Sequence, residues 1–326
     1  MAFKYTNKSN ISLPLAVFLM HDSYDHDPRP NSISATSMIK PIRQLVLIAQ
    51  NPDAAKEVDI MDLVSSRMGT AIHDGCEDAW TDPENVRKAL EVIGMGNIAD
   101  RIEINSEELS DDAIPIYVEQ RHEKKIDGYV ITGKYDLILD GMLVDYKSTS
   151  VWTYVYDSNA AKYSLQGSIY KWLVPERITE DFIEIQFIFT DWSSTRAMQD
   201  KSYPQMRVIS KKYPLWSVEQ TEEYIRGKLK SLSNLKDTPQ ELLPKCSDED
   251  LWAEEAKYKY YRNPAKLTRA TKVFSTMAEA QQRLADDGGT GTVITVPGQV
   301  KACRYCPVVN LCDQAKELIS QGRLLT

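Results

Sequence analysis

The sequence predicts an α/β fold, and three observations carry that prediction. Helix-period and strand-period segments alternate through the middle of the chain in the order helix, three strands, helix, strand. The stretch GKYDLILDGMLVDYK at 133–147 alternates with period two around Asp140-Gly141, a strong short-range signal for a two-residue hairpin turn. Beyond residue 216 the chain turns helical, and CRYCPVVNLC at 303–312 bunches three of the five cysteines, so a helical C-terminal region gathered on a metal cluster is expected.

Composition narrows the classes. At 326 residues the chain has room for two domains, and 42% hydrophobic with 26% charged residues is ordinary for a globular protein. The formal net charge of −8 rules out a basic nucleic-acid coat, so any contact with nucleic acid must use a local patch. ISLPLAVFLM at 11–20 contains Pro14 and runs into HDSYDHD at 21–27, which reads as a buried strand or helix start and not as an export signal. No run approaches the roughly 18 apolar residues of a membrane span. The cysteine spacing suits a metal site in a reducing cytosol better than a secreted disulfide framework. A cytoplasmic protein without a membrane partner is expected.

Taken in order, residues 31–50 offer Ser/Thr caps and then helix-period apolar residues, and 61–80 read as a helix with Ile72, Cys76 and Ala79 on one stripe. Residues 87–110 look helical and charged. Pro115 opens YVEQRHEKKI at 117–126, an alternating strand, and a hairpin follows at 129–147. Residues 159–173 form a helix capped by Asn159, with Leu165, Ile169, Trp172 and Leu173 facing inward, and FIEIQFIFT at 182–190 is an apolar strand. Residues 233–250 are a polar linker. The metal-like HDSYDHD is flanked by Pro28 and Pro30, which mark a loop, and it is given no role.

The hairpin carries the first chemical signal. Its turn pairs Leu139 with Met142, and so Asp136 with Asp145, which share a face with Lys147; Tyr135, Leu137, Leu139, Val144 and Tyr146 line the other. Opposed like charges cost roughly 0.2–1 kcal/mol on a sheet unless a cation sits between them, which points to a divalent metal. A solvated polar face is the alternative. Upstream, Gly69 and His73 lie in a helix; downstream, Gln166 and Tyr170 sit at i and i+4 on one helical face.

This ordered set resembles the RecB-like branch of the PD-(D/E)XK nucleases, whose pattern runs G-x3-H, G-x2-D, (D/E)-x-K and Q-x3-Y. Here these are Gly69 with His73, Gly133 with Asp136, Asp145 with Lys147, and Gln166 with Tyr170, over about 65–190; Tyr135 replaces the proline. The resemblance implies a restriction-endonuclease-like core, a mixed central sheet flanked by helices. It also implies that Asp136, Asp145, His73 and the backbone carbonyl of Tyr146 hold one or two Mg²⁺ or Mn²⁺ ions, with Lys147 orienting the attacking water. Glu119 stands where this branch often carries an acid, or is a solvated strand carboxylate. Gln166 and Tyr170 contact DNA or the water network, or are plain packing residues.

Cys303-x2-Cys306-x5-Cys312 is similar to the last three ligands of the iron–sulfur cluster in the CRISPR-associated adaptation nuclease and in AddB-type helicase–nucleases. A [4Fe–4S] cluster needs a fourth thiolate, for which Cys246 is preferred and Cys76 is the alternative; a four-cysteine Zn²⁺ site uses the same residue types. Between these cysteines, KYKYYRNPAKLTRATK at 257–272 holds six basic residues, no acidic ones and three tyrosines. Lys257, Lys259, Tyr260, Arg262, Lys266 and Arg269 are therefore candidates for single-strand DNA contact, unless the run is only a solvated helix face.

The expected organisation is an N-terminal helical segment at 1–64, a nuclease core at 65–235 and a cysteine-cluster region with its basic patch at 236–326. The expected activity is Mg²⁺ or Mn²⁺-dependent hydrolysis of DNA, exonucleolytic on single strands or resected ends. Without a G-x4-G-K-(S/T) motif, unwinding would fall to a helicase, with an annealing or single-strand-binding protein as another partner. The resemblance suggests a phage or mobile-element recombination, replication or repair role, in the host cytoplasm if phage encoded. The rivals are a non-catalytic scaffold subunit and an RNA-directed nuclease.

Overall fold

Asp140 and Gly141 both take left-handed backbone, with φ of 45° and 82°, the mirror-image turn whose twist matches that of paired strands. The ladder that follows pairs Leu139 with Met142, Ile138 with Leu143 and Leu137 with Val144, the register that the turn chemistry predicts. The computed structural model describes residues 2–21, 27 and 29–325. The chain divides into two units, one of residues 5–39 and 58–230, the other of 1–4, 40–57 and 231–326. Most of the 21–27 loop lies outside the described residues.

The first unit is built on a mixed six-stranded sheet in the order Val208–Pro214, Phe182–Phe189, Met142–Thr149, Leu137–Leu139, Ile114–Val118, Ile102–Ile104. Met142–Thr149 and Phe182–Phe189 run parallel. A parallel pair needs a crossover, here supplied by the helices Val151–Val155 and Ala160–Leu173. A second sheet joins Ser32–Ser34, Tyr129–Lys134 and Arg121–Ile126. The expected α/β architecture with a mixed sheet and flanking helices is present.

Several elements differ from expectation. The 129–147 hairpin is broken at Tyr135 and Asp136, which leave the strand conformation as the chain passes from the smaller sheet to the larger. YVEQRHEKKI is likewise divided, at Glu119 and Gln120. A second Asp-Gly turn, Asp127 and Gly128 with φ of 48° and 82°, closes the Arg121–Ile126 and Tyr129–Lys134 hairpin. Residues 83–104 form a helix at Pro83–Val92, a short one at Gly96–Ala99 and then a strand at Ile102–Ile104.

Burial also departs from the simple two-faced hairpin. Leu137 and Val144 pack with Ile116 and Val118 on one side, while Ile138 and Leu143, both fully buried, join the main core with Tyr135, Ile169 and Trp172 on the other. Both faces are therefore covered, because helix Ala160–Leu173 carries polar Gln166 and Ser168 inward alongside its apolar residues. Burying each such aliphatic side chain contributes roughly 1.5–3 kcal/mol. No residue of helix Val64–Thr81 is fully buried; its inward stripe is Ile72, His73, Cys76 and Trp80, and Ala79 is exposed. Residues 13–20 are helical as one reading of ISLPLAVFLM had it, but only Leu19 is buried, and Leu13, Leu15, Val17, Phe18 and Met20 are exposed.

In the other unit, the region after residue 250 is not predominantly helical. Strands Lys257–Tyr261, Lys272–Phe274 and Thr292–Val296 form an antiparallel sheet with helix Met277–Asp286, whose start is fixed by a Thr276–Glu279 capping box. KYKYY is a strand whose burial rises along its length, from exposed Lys257 to buried Tyr260 and Tyr261. Among the described residues no helix is long and apolar enough to cross a membrane.

Candidate active site and thiol cluster

The bend at Asp136 brings its carboxylate back over the neighbouring strand, where Oδ2 accepts the Tyr146 backbone N–H at 2.8 Å. The same oxygen lies 3.2 Å from His73 Nδ1. Asp145, only 2% exposed, has its Oδ2 2.5 Å from Lys147 Nζ. Gln166 Nε2 reaches Asp145 Oδ1 at 3.5 Å and donates to the Tyr170 hydroxyl at 3.1 Å. His73, Asp136, Asp145, Lys147, Gln166 and Tyr170, spread over 98 positions of sequence, thus meet at one place.

Close packing explains two glycines of the set. A Cβ on Gly69 would stand 3.1 Å from Ser148 Oγ, and one on Gly133 would stand 2.6 Å from Leu173 and 2.9 Å from Tyr170. Their absence lets the helix bearing His73 close onto the strand that bears Lys147, and the helix bearing Tyr170 close onto strand Tyr129–Lys134, which leads into the bend at Asp136. Glu119 adjoins the site: its N–H donates to the Asp136 carbonyl at 3.1 Å, and its carboxylate is committed to Lys134. Its backbone is left-handed, φ 51°, which costs a non-glycine residue about 1–2 kcal/mol.

The electrostatics are those of charge held away from water. Burial pushes the Asp145 carboxyl up, to about 6, with the Asp136 charge adding to the rise and Lys147 opposing it. Burial also raises Asp136, but the His73 hydrogen bond, the Lys147 charge and the Tyr146 N–H outweigh it and hold this carboxyl below its ordinary value. His73 is raised by its bond to Asp136. For Lys147 burial works against the ammonium, yet the two aspartates more than compensate and its pKa is raised. The buried Asp145 Oδ2 touches Lys147 but makes no directed hydrogen bond, so acceptor capacity remains for a cation. Among the described residues no three His, Cys, Asp or Glu side chains already converge as a finished metal site.

Three residues near the bend carried no sequence signal. Arg177 donates to the Tyr135 hydroxyl at 3.3 Å and bonds Gln120, and the His122 ring stacks on Tyr135 at 5.6 Å. Tyr135, in the place of the family's proline, is thereby fixed at the turn of the chain that aims Asp136. The Arg177 contacts join residues 42 and 57 positions apart, beyond any local pattern.

The C-terminal thiols lie in the other unit. Burial raises the Cys246 thiol, to about 12, helped by Asp250 and by Cys312, Cys303 and Cys306. Cys303 is pushed to about 11 by burial together with Cys306 and Cys312. Cys246 is held by Gln314, whose side chain accepts its N–H at 2.8 Å and donates to its carbonyl at 2.9 Å; among the described residues the cysteines do not form a finished metal-holding group. Cys76 instead lies near Asp136 and Tyr146. Buried Arg43 donates to Cys312 Sγ at 3.3 Å, and its remaining bonds go to the Gln240 and Leu243 carbonyls.

The basic stretch is only partly available. Lys257, Lys266 and Arg269 are exposed and Lys259 is half-buried. Tyr260 is fully buried with its hydroxyl on Asp287 at 2.8 Å, and Arg262 is paired with that same carboxylate. Tyr260 therefore builds the small sheet and is not presented for base stacking.

Comparison with known proteins completes the picture. The model of the PD-(D/E)XK nuclease superfamily matches residues 53–313. Among solved structures, a protein called SSO0001 is similar at 15% identity over 66% of this chain and 81% of its own, with a TM-score of 0.35. A phage-related exonuclease from Haemophilus somnus 129PT is similar at 13% identity over 63% of this chain and 93% of its own, also at 0.35. Scores this low carry no argument about either fold or function. No curated protein matches the chain. The family match spans most of the sequence and takes in the hairpin, the helices that close on it and all four C-terminal cysteines, and on it the chain belongs to the PD-(D/E)XK nuclease superfamily.

Proposed function

We propose that the protein is a metal-dependent DNA nuclease of the RecB-like branch, an exonuclease acting on single-stranded or resected ends. The observation that carries this reading is the pair of buried Asp145 and partly buried Asp136 beside Lys147, with one Asp145 oxygen lacking a directed hydrogen bond. Keeping two carboxylates and an ammonium out of water is costly, and a divalent cation is what such a donor set suits. Asp136, Asp145, His73 and the Tyr146 carbonyl would hold Mg²⁺ or Mn²⁺, with Glu119 in reserve behind Lys134.

A cation there would make water nucleophilic at neutral pH and neutralise charge on the phosphate. The chain supplies the rest. Lys147 stands ready to hold the attacking water or to donate to the developing anion. Gln166 orients Asp145 and is itself held by Tyr170. His73 fixes Asp136 in its ionised form.

We assign Cys246, Cys303, Cys306 and Cys312 to a [4Fe–4S] cluster. Burial raises the thiols of Cys246, Cys303 and Cys306, and buried Arg43, which donates to Cys312, has no carboxylate partner among the described residues. An anionic metal–thiolate centre would answer both, and Zn²⁺ is the competing metal. In the division 1–64, 65–235 and 236–326, the last segment would stabilise the nuclease and grip DNA through Lys257, Lys259, Lys266 and Arg269. A helicase or single-strand-binding partner, and phage origin with action in the host cytoplasm, complete the reading.

The test is cleavage of 5′- and 3′-labelled single- and double-stranded DNA, with matched RNA, by anaerobically purified protein in Mn²⁺, set against Asp145→Ala. Loss of DNA cleavage in the variant is expected, and the label released first gives polarity. DNA binding without any cleavage by the wild type would defeat the reading, and RNA preference would redirect it. Iron and acid-labile sulfide lost in Cys246→Ala but kept in Cys76→Ala is the expected cluster result; zinc in their place would replace the iron–sulfur assignment.

A further inference from the structure

The helix Val151–Val155 begins where the strand carrying Asp145 and Lys147 ends. Its start is pinned: the Val151 N–H donates to Asp191 Oδ1 at 2.8 Å, and the Ser150 hydroxyl donates to Asp191 Oδ2 at 2.6 Å. Val151 is fully buried and Tyr154 packs edge-on to Phe187 and Phe189, so the inward face is complete. The outward face is unusual. Trp152 is 43% exposed and Tyr156 72% exposed, and their rings stack at 5.8 Å with 24° between planes.

That pair is held in place. Tyr203 meets the Trp152 ring edge-on at 6.4 Å, and the Arg196 guanidinium stands 5.9 Å above it. Tyr203 is in turn buried, with its hydroxyl accepting the Ser193 N–H at 3.0 Å. Large aromatics left in water beside a complete core are a liability that a ligand would relieve. Flat faces with a guanidinium alongside match nucleobases, whose π-faces stack on aromatics whatever the sequence.

We infer that Trp152 and Tyr156, with Arg196, form a stacking platform for unpaired bases of the strand whose phosphodiester lies at Asp145 and Lys147. The inference rests on the nuclease reading for the identity of the strand. Trp152 lies five positions after Lys147, a reach of at most ~18 Å, or about five nucleotides at duplex spacing and fewer when the strand is stretched. Paired bases present no free faces here, so the platform confers preference for single strands, and its residues position substrate without touching the reacting atoms.

The experiment measures binding of the full-length protein, by fluorescence anisotropy in chelator, to an oligothymidylate and to the same backbone with abasic nucleotides. Trp152→Ala, Trp152→Phe and Tyr156→Ala are compared with wild type, and thermal unfolding reports their integrity. Wild type should bind the base-bearing strand about tenfold or more tighter. Trp152→Ala and Tyr156→Ala should lose that preference and Trp152→Phe keep most of it. In Mn²⁺, KM for single-stranded DNA should rise more than kcat falls. If folded Trp152→Ala and Tyr156→Ala discriminate as wild type does, the platform is wrong, including where the patch serves a protein partner instead. Intact cleavage with unchanged discrimination sinks the platform alone. Base-dependent binding that needs Trp152, in a wild type that cuts nothing, sinks the nuclease reading alone.

Discussion

Two hairpins of this chain turn on the same dipeptide with the same left-handed geometry, at Asp127-Gly128 and at Asp140-Gly141. In the first, Glu123, Lys124 and Lys125 face water, and Glu123 meets Arg29 at 2.5 Å on the surface. In the second, Asp145 is buried and its partner Lys147 is three-quarters covered. Turn chemistry sets the shape of both. What separates the two is where their charges lie: in the second, helix Val64–Thr81 closes on the strand at Ser148 and Gln166 of helix Ala160–Leu173 reaches Asp145, whereas in the first that same helix packs on Gly133 and leaves the charges of strand Arg121–Ile126 in water.

The sharpest way to break this comparison is to neutralise one carboxylate in each hairpin. Asp145→Asn should lower the rate of DNA cleavage in Mn²⁺ by about 10³-fold, while Glu123→Gln stays within about twofold of wild type. Equal losses would mean that burial is not what marks the reactive hairpin. The next largest effect concerns the turns. A Cβ at Gly141 would run into Thr179 Oγ1, whereas at Gly128 nothing lies within 4 Å. Both substitutions to alanine pay the left-handed backbone cost of about 1 kcal/mol, and Gly141→Ala should cost about 1–3 kcal/mol more by crowding. Urea midpoints of the two variants measure the gap; matching midpoints would remove the supposed difference in cover.

A smaller effect is tied to pH. His73 is raised above its ordinary 6.5 by Asp136, and Asp136 is held below its ordinary 3.8. A raised histidine stabilises fully below its unfolded value and loses that contribution as pH climbs through the folded one; a lowered carboxyl stabilises above its unfolded value. Their ion pair therefore works between about pH 4 and 6.5. His73→Gln, in chelator, should cost about 1 kcal/mol at pH 5.5, given the partial exposure of both groups, and clearly less at pH 9. A deficit independent of pH would assign His73 to packing alone. Least of all should Arg29→Ala matter: its unfolding midpoint should match wild type within experimental scatter, because water replaces a surface pair.

The sequence announced the register of the Asp140-Gly141 hairpin from Leu137 to Val144, but the expected pairing of Asp136 with Asp145 is not in the ladder, because the chain bends at Asp136. It also announced the residues that would meet there. It concealed the bend at Tyr135 and Asp136, because alternation of residue types runs on through it, and the contacts that hold the bend come from Arg177 and His122. It misjudged the face carrying Asp145, since Ala160–Leu173 buries Gln166 and Ser168 and so lacks the polar–apolar contrast that signals which way a helix points. Arg43 and Cys312 are 269 residues apart, and no local pattern reports such a pair. KYKYY shows the limit of charge counting: its lysines are outward or half-covered, and Tyr260 is inside.

The most direct measurement is Mn²⁺ binding by the wild type and by Asp145→Asn, followed by electron paramagnetic resonance between pH 4.5 and 7.5. Protons and metal compete for Asp145, whose carboxyl is pushed up to about 6 by burial. Wild-type affinity should hold above that pH and fall about tenfold per unit below it, with Asp145→Asn at least about tenfold weaker at pH 7.5. Equal binding by the two proteins, or wild-type affinity indifferent to pH across 6, would contradict a cation site at the Asp140-Gly141 hairpin.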